Sequence, residues 1–418
     1  MSSDESFISS SESSSESSYI SSPSSDEDVD QGDNLDLQGN IIKNYNVIYE
    51  LGRGAFSIVW LVYNITDNLF YALKVQNSEE FKEGLQEIQF VSKLPTSPKI
   101  FNNLIEHFIE KRDNKKYLCS VWNLHATNLD TIIRKQNTRL SLDLIKKIMK
   151  QLIDAIKILH TKFKVFHGDI KSDNILIKGI NNKDSYITQL YKQENFFQKY
   201  TSAKQKYWLS FNKDIKSIDN MSKNDKLKIR YQVHNDIVTR ILKDSNISKD
   251  FSNIDISNIS LADFGTYCEE DNYYDKPFGT RYYQAPEIIL MGKCSYPVDI
   301  WALGCVFYEL LANQFLFNPI KDANYTRDYY HLYLINDTCG DFPINFLKKT
   351  KYYETFFNKG TLIDYIKTEN RLERKLNLLE IDSINKKVIN EILTNMLQID
   401  TSKRWTINDL AKHPFFKN

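Results

Sequence analysis

The residues best suited to chemistry lie in one short stretch, FHGDIKSDNIL, at positions 166–176. Asp169 can accept a proton from a hydroxyl group, Lys171 can lie near a phosphate, and Asn174 can ligate a magnesium ion. Loops that transfer phosphate often read His-Arg-Asp-x-x-x-x-Asn, whereas Gly168 occupies the arginine position here. The stretch therefore predicts phosphoryl transfer and raises the question of what the missing arginine means.

Two earlier segments could hold the phosphates for such a reaction. LGRGAFSIVW places Gly52 and Gly54 between two predicted strands, where backbone N–H groups can approach phosphate oxygens without a Cβ in the way. In YALKV, Lys74 lies within an apolar strand, which favours a buried anionic partner such as the α- and β-phosphates of a nucleotide. Two glycines are common in ordinary hairpins, so their position ahead of Lys74 carries the argument.

Two carboxylates complete the set. Glu87 lies beside the apolar stripe of the helix predicted in SEEFKEGLQEIQFVSKL and could pair with Lys74, with Glu83 as its rival. Asp263, in LADFGTY, could bind magnesium together with Asn174, because this ion takes only one or two protein oxygens beside phosphates. Each residue has an ordinary structural explanation by itself, but their occurrence together and in this order favours a catalytic site.

The elements that must position these residues follow from the hydrophobic pattern. YNVIYELGRGAFSIVWLVYNITDNLFYALKV predicts three antiparallel strands joined by two turns. SLDLIKKIMKQLIDAIKILH predicts an amphipathic helix with Ser141 as its N-cap, and DIWALGCVFYELL predicts a helix buried on nearly every face. We therefore expect a small sheet-rich unit followed by a larger helical unit.

Two segments interrupt this pattern. Residues 1–40 contain ten acidic residues, many serines and no Lys or Arg, which predicts a disordered tail whose serines could be phosphorylated. Residues ~178–259 are rich in Asn, Lys and Ser with weak periodicity, and we interpret them as an insertion. Their interleaved basic and aromatic residues would suit a nucleic-acid surface, but packing of the aromatics on the protein body is the simpler interpretation.

Composition narrows the class of protein. The chain of 418 residues has zero formal net charge and 41% hydrophobic residues, and its five scattered cysteines form no CxxC pair, which argues against a disulfide framework or a zinc site. Neither a secretory signal nor a membrane span is evident. We expect an intracellular protein, either cytoplasmic or nuclear. The abundance of Asn, Ile, Lys and Tyr suits the AT-rich genome of a protist or a large DNA virus, so a protein carried in a virion is a further expectation.

From about residue 45 to residue 417 the chain resembles a eukaryotic-type serine/threonine protein kinase. The motifs that follow the order of that family are the glycine turn, Lys74, Glu87, the 167–174 loop, Asp263-Phe264-Gly265 and Ala285-Pro286-Glu287. The resemblance implies an α+β bilobal fold, with a five-stranded antiparallel sheet and one main helix in an N-lobe at 45–123, and a mostly helical C-lobe at 124–417. It also implies ATP and Mg²⁺ as cofactors, a protein Ser or Thr as acceptor, and a monomer that needs no membrane.

The same resemblance assigns roles to further residues. The adenine would be enclosed by Leu51, Val59, Ala72 and Leu176, with Trp122 at the back of the pocket. Thr280 would lie on the substrate side near Asp169, and together with Lys171 it suggests Ser/Thr rather than Tyr specificity. Asp299 would brace the catalytic loop, and Arg404 would pair with Glu287.

A closer likeness is to the serine/arginine-rich-protein kinases. GAFSIVW has their Phe-Ser-x-Val-Trp ending, the insertion takes the place of their spacer, and NYTRDYYHLYLI and YYETFFNKGTL resemble their later segments. That family also lacks the arginine of the catalytic loop. Substrates rich in Arg and Ser are therefore one candidate class. The acidic docking surface that those kinases use for basic substrates is not matched here, because Asp328 is followed by Tyr329 and Tyr330 and not by further acidic residues.

Gly168 then bears on regulation. In many kinases the arginine at this position grips a phosphate on the activation segment, which glycine cannot do. Because residues 263–287 contain no serine, we hypothesise that the kinase is active without phosphorylation of this segment. The alternative interpretation of Gly168 is that glycine merely fits a tight backbone turn. Two other functions stay open: a pseudokinase scaffold that binds partners through its tail and insertion, and a nucleic-acid-binding protein.

Overall fold

The computed structural model describes Leu37, Asn40 and residues 41–417, apart from 179–254, 270–276 and short gaps at 55–56, 65, 68, 77, 98, 113–114, 136–138, 322–324 and 369–370. The predicted acidic tail, apart from Leu37 and Asn40, and nearly all of the predicted insertion therefore lie outside the described residues. Leu37 is buried, which differs from the predicted disorder of residues 1–40 at this position. Within the described ranges, no helix is long and apolar enough to cross a membrane.

The first part of the chain forms an antiparallel sheet with one helix. Its strands are β1 Ile41–Ile42, β2 Tyr45–Arg53, β3 Ser57–Asn64, β4 Leu69–Gln76, β5 Leu104–Arg112 and β6 Lys115–Asn123, in the spatial order β1-β2-β3-β4-β6-β5. Helix α1, Phe81–Val91, lies between β4 and β5 in the chain. The predicted three strands joined by two turns are confirmed as β2, β3 and β4.

This sheet has a sixth strand in addition to the predicted five. The two-residue strand β1 pairs with β2 at one edge. It is held there because Leu37 and Ile42 are buried against Tyr45 and Trp60 in an apolar cluster of the sheet. A segment with so few apolar residues shows no periodicity, so hydrophobic pattern alone could not have predicted this strand.

The rest of the described chain is mostly helical. Its helices are α2 Leu129–Lys135, α3 Leu142–Ile158, α4 Pro286–Ile289, α5 Pro297–Ala312, α6 Arg327–Cys339, α7 Ile344–Leu347, α8 Tyr353–Phe356, α9 Leu372–Asn377, α10 Ser383–Met396 and α11 Ile407–Lys412. Short strands are β7 Thr127–Asn128, β8 Val165–Phe166, β9 Ile175–Ile177, β10 Ile259–Leu261, β11 Cys268–Glu269, β12 Phe357–Asn358 and β13 Thr361–Leu362. Together with the sheet, they give the predicted bilobal α+β fold.

Helices α3 and α5 form the centre of the helical part, and both follow from their sequences. The Ser141 side chain caps α3 as predicted, accepting a hydrogen bond from the Leu144 backbone N–H at 3.3 Å. One face of α3 is buried, including Ile145, Ile148 and Leu152. Helix α5 is buried at every residue after its first, as a sequence that is apolar on nearly every face predicts.

The short strands bring the two chemistry-bearing loops together. The loop at 167–174 joins β8 to β9, and the loop at 262–267 joins β10 to β11. Strand β8 pairs with β11, and β9 pairs with β10, both in antiparallel fashion. Because both ends of the two loops are paired in this way, the loops must lie side by side.

Candidate active site

Lys74 lies between two carboxylates that come from distant parts of the chain. Its Nζ is 2.9 Å from Glu87 Oε2 on α1 and 3.0 Å from Oδ1 of Asp263 in the 262–267 loop. Burial lowers the pKa of Lys74, but the Asp263 and Glu87 carboxylates outweigh this effect and raise the pKa above its ordinary value. Glu87 is buried, whereas its rival Glu83 is exposed, so Glu87 is the partner of Lys74.

Asp263 is held by its neighbours in the loop as well as by Lys74. Its backbone has a φ of +62°, and the ring of the next residue, Phe264, is buried. The Phe264 backbone N–H donates to Glu87 Oε1 at 3.1 Å, and its ring lies 4.9 Å from the His167 ring. The Lys74 ammonium lowers the pKa of Asp263 to about 2, so the carboxylate is ionised at neutral pH.

The predicted catalytic loop arranges Asp169, Lys171 and Asn174 around one another. Lys171 Nζ lies 3.0 Å from Asp169 Oδ2 and 2.8 Å from Thr280 Oγ1. The Asn174 amide donates to the Asp169 backbone carbonyl at 2.9 Å, and the Thr280 backbone N–H donates to Asp169 Oδ1 at 2.8 Å. The structure therefore brings the predicted substrate-side residue Thr280 into direct contact with both predicted catalytic residues.

Asp299, at the start of α5, braces this loop from below as predicted. Its carboxylate accepts hydrogen bonds from the backbone N–H groups of His167 at 2.8 Å and Gly168 at 3.0 Å, and contacts His160 Nε2 at 2.8 Å. The His167 ring accepts from the Asp169 N–H at Nδ1 and faces the Ala262 carbonyl with Nε2. A buried carboxylate and a buried imidazole thus fix the backbone on both sides of Asp169.

Gly168 lies in a conformation that suits glycine for two reasons. Its φ is +80°, in the left-handed region that side chains disfavour. A Cβ added there would lie 2.7 Å from the Thr266 backbone oxygen, closer than real Cβ atoms approach. The glycine therefore fits a tight turn, and this geometry explains its presence independently of any role in regulation.

The residues predicted to enclose the adenine come from strands β2, β3, β4 and β9, and Leu51 among them is exposed. Val59, Ala72 and Leu176 are each only partly buried, although most residues beside them on their strands are buried. Trp122 is buried opposite Ala72 in the β4–β6 pairing, and its Nε1 donates to Ser120 Oγ at 2.9 Å.

The glycine turn lies at the end of the first hairpin. Leu51 and Gly52 belong to β2, while the Gly54 N–H donates to the Ser57 carbonyl at 2.9 Å. Gly52 therefore lies inside a strand rather than between strands, opposite Val59. A Cβ added at Gly52 would meet nothing within 4 Å, so there is open space beside its backbone.

The donors available to a metal ion fit magnesium bound with a nucleotide. Asp263 offers a carboxylate that is about half exposed at 47%, and the Asn174 carbonyl oxygen remains when its amide donates to Asp169. Among the described residues, no group of three or more His, Cys, Asp or Glu side chains could hold a metal by itself. Mg²⁺ needs only one or two protein oxygens when phosphates supply the others.

The end of the activation segment is anchored by a buried ion pair. Arg404 NH1 and NH2 lie 2.6 and 3.0 Å from the two carboxylate oxygens of Glu287 on α4, as predicted. Arg404 also donates to the backbone carbonyls of Gln398 and Pro297, both at 2.8 Å. This pairing fixes residues 285–287 to the body of the helical part.

Comparison with known proteins matches this architecture to one family. The family model described as the protein kinase domain matches residues 45–190 and 183–416, which is most of the chain. The chain belongs to the protein kinase family. The predicted recognition and fold are therefore confirmed.

Curated relatives of this kinase carry serine/threonine-kinase names. A putative serine/threonine-protein kinase of Acanthamoeba polyphaga mimivirus is 25% identical, covering 91% of this chain and 88% of the relative. The serine/threonine-protein kinase SRPK of Physarum polycephalum is 26% identical, covering 90% of this chain and 87% of the relative. SKY1 of Saccharomyces cerevisiae is 33% identical over a shorter stretch, 42% of this chain and 24% of the relative. These relatives place the kinase among the serine/threonine kinases.

Sequence reasoning missed a second cluster of polar residues in this kinase. Glu309 of α5 is buried and contacts Tyr283, Ser172 and Arg134, which lie in three other segments of the chain. The signal that could have found it is a carboxylate inside an otherwise apolar helix, which must have partners to be buried. The pattern gave no indication of which residues those partners would be.

Proposed function

We propose that this protein transfers the γ-phosphoryl group of ATP to a Ser or Thr hydroxyl of a protein substrate. The observation that carries the proposal is the assembly of Lys74, Glu87 and Asp263 by ion pairs within 3.0 Å, next to a loop that presents Asp169. Phosphoryl transfer depends mainly on positioning and charge neutralisation, and these groups can contribute to both.

Each residue of the set has a distinct role in this proposal. Asp169 accepts the proton of the acceptor hydroxyl, and Lys171 neutralises charge between Asp169 and the transferred group. Lys74, positioned by Glu87, holds the nucleotide phosphates, while Gly52 and Gly54 let the turn approach them. Asp263 and Asn174 would hold Mg²⁺, which supplies neutralisation of the phosphate charge.

The nucleotide base and the substrate are assigned in the same proposal. Val59, Ala72 and Leu176, which are partly buried, and Leu51, which is exposed, would contact the adenine as apolar residues. Thr280 lies beside Asp169 and Lys171 and would contact the substrate backbone near the acceptor. Arg/Ser-rich segments are one candidate substrate class, suggested by the likeness to serine/arginine-rich-protein kinases.

We further propose that the kinase is active without phosphorylation of its activation segment. Lys74, Glu87 and Asp263 are already paired, and Glu287 is anchored by Arg404. Both arrangements are ion pairs between side chains of the protein itself. Gly168 gives this proposal limited support: it has no side chain that could bind a phosphate, but its backbone conformation already requires a glycine at this position.

A pseudokinase scaffold is the second candidate, and one experiment separates it from an active kinase. The purified protein is incubated with radiolabelled ATP, Mg²⁺ and a generic Ser/Thr substrate protein, alongside an Arg/Ser-rich peptide. Thermal shift with ATP is measured with and without Mg²⁺. We expect label transfer and a Mg²⁺-dependent rise in Tm. A rise in Tm without any transfer would favour the scaffold.

A further inference from the structure

The hairpin that joins β5 to β6 places like charges directly opposite one another. In its antiparallel register Lys111 lies opposite Lys116, and Arg112 lies opposite Lys115. Like charges opposed across two strands destabilise a sheet, because their Cβ atoms lie only about 5 Å apart. The end of this hairpin therefore carries four cations whose mutual repulsion an anionic partner would relieve.

The acidic residues at the end of the hairpin offset only part of this charge. Glu110 pairs with Arg112, at 3.2 Å between Glu110 Oε1 and Arg112 Nε. Asp113 is the one acidic residue in the sequence 111–116, and it lies outside the described residues. Lys111 and Lys116 are exposed, so their ammonium groups are accessible to an anion.

The usual reason for lysines at the edge of a sheet explains only half of these residues. Exposed edge strands often carry lysine, which prevents them from pairing with another chain. Strand β5 is an edge strand, but β6 lies between β4 and β5. Lys115 and Lys116 belong to β6, so protection of an edge does not account for them.

The acidic tail joins the described structure on the sheet that carries this hairpin. Leu37 belongs to the same buried apolar cluster as Phe108 of β5 and Tyr117 of β6, the residue next to Lys116. The same segment is held again at Lys43, whose ammonium pairs with Glu106 of β5 and lies 5.2 Å from the centre of the Phe108 ring. The residues just before Leu37 are therefore tethered to the sheet near the basic end of the hairpin.

We propose that the basic end of the β5–β6 hairpin binds residues 26–36 of the same chain. These eleven residues contain no Lys or Arg and six carboxylates, which are Asp26, Glu27, Asp28, Asp30, Asp33 and Asp36. Eleven residues extend at most about 40 Å, which allows them to reach the hairpin while they remain joined to Leu37. Because a short tether gives an effective concentration on the order of millimolar, weak charge pairs are enough to hold the segment.

A second line of exposed lysines provides the comparison. Lys147, Lys150 and Lys157 lie on the exposed face of α3, with Asp154 among them. Burial raises the pKa of Asp154, and Lys150 and Lys157 oppose this effect, so these two lysines already act on a carboxylate of their own helix. Helix α3 also packs in a different apolar cluster from the one that contains Leu37. We therefore expect the tail to contact the hairpin and not α3.

The test uses the full chain and a carbodiimide, which joins carboxylates directly to lysine amines that are in contact with them. Mass spectrometry identifies the joined peptides at low salt and again at about 1 M NaCl, where the Debye length falls to about 3 Å. We expect residues 26–36 to be joined to Lys111, Lys115 or Lys116 at least about three times as often as to Lys150 or Lys157, as for contacts between exposed charges. These cross-links should disappear at high salt.

Charge-reversed variants locate the contact without a cross-linker. A Glu-specific protease cuts the chain after Glu27, and the rate of this cut measures how well the tail is protected. Lys111→Glu/Lys116→Glu should raise the rate about threefold, the size expected for the loss of surface charge pairs. The matched control Lys150→Glu/Lys157→Glu changes the net charge equally and should be cut at the wild-type rate. Thermal unfolding checks that both variants keep the fold.

Three results would overturn the proposal. The first is cross-links that are absent from the hairpin or spread evenly over the hairpin and α3. The second is cross-links that join two copies of the chain, detected in a mixture of isotopically light and heavy protein. The third is equal cleavage after Glu27 in the two variants. None of these measurements uses phosphoryl transfer, so the proposal stands or falls independently of the proposed function.

Discussion

At the scale of single residues, Lys74 is the group on which the site depends most. It is the shared partner of Glu87 and Asp263, which come from α1 and from the loop after β10. Sequence reasoning could identify Lys74 because a lysine within an apolar strand is unusual. The sequence alone could not exclude Glu83 as the partner, because Glu83 and Glu87 lie one helical turn apart on the same helix. The packing of α1 decides between them, because it buries Glu87 and leaves Glu83 exposed.

Replacement of Lys74 should therefore abolish transfer while the fold persists. In Lys74→Met the nucleotide phosphates lose their cation, and we expect kcat/KM to fall at least about 100-fold, as for other preorganised electrostatic groups. The matched control is Lys93→Met, which removes an exposed lysine just after α1. Phosphate incorporation and circular dichroism are the measurements. Near-normal activity of Lys74→Met would contradict the assignment.

Gly168 offers a test of backbone strain. In Gly168→Ala the new Cβ meets the Thr266 carbonyl and requires a φ of +80°, so we expect the free energy of unfolding to fall by about 1–2 kcal/mol or more. Gly52→Ala is the matched control, because open space surrounds its Cβ position. Urea denaturation measures both. Equal stability of the two variants would show that the turn at Gly168 tolerates a side chain.

At the scale of elements, helix α5 organises the catalytic loop and the activation segment from beneath. Asp299 near its start holds the backbone of His167 and Gly168, and Glu309 near its end holds Tyr283 and Ser172. The sequence, which is apolar on nearly every face of the helix, predicted that α5 is buried. It could not predict the contacts of Glu309, because they join residues that are far apart in the chain.

Protonation of Glu309 should make stability depend on pH. Its pKa is raised by burial from 4.5 to about 7, so the folded protein binds more protons than the unfolded chain between these values. Stability should therefore fall as pH rises from about 4.5 to about 7, by an amount on the order of 2–3 kcal/mol. Glu309→Gln should lack this slope when unfolding free energies are compared across the same pH range. Parallel curves for the two proteins would contradict the prediction.

The ion pair between Arg404 and Glu287 should contribute strongly to the stability of the helical part. Removal of Arg404 leaves a buried carboxylate without its partner, so Arg404→Ala should cost about 3–5 kcal/mol. The double variant Arg404→Met/Glu287→Leu, which removes both charges, should recover much of this loss. Chemical denaturation measures the three proteins. A single variant as stable as the wild type would mean that the pair is replaced by other contacts.

At the scale of the whole molecule, the sequence predicts the fold better than it predicts the substrate. Motif order and periodicity were sufficient for the bilobal architecture, and α3, α5 and strands β2–β4 agree with the predicted elements. Strand β1 was missed because its pairing depends on the burial of Leu37 and Ile42 against the sheet. The cluster around Glu309 was missed because it depends on contacts between four separate segments of the chain.

The most direct test of the whole account is transfer of label from radiolabelled ATP to a Ser/Thr protein by enzyme that has been treated with phosphatase and then separated from it. Asp169→Asn, which keeps the shape of the side chain, is the matched control. We predict that the phosphatase-treated wild type phosphorylates the substrate at the rate of untreated enzyme and that Asp169→Asn does not. Transfer that is equal in the two proteins would contradict the assigned site, and loss of wild-type activity on treatment would contradict activity without prior phosphorylation.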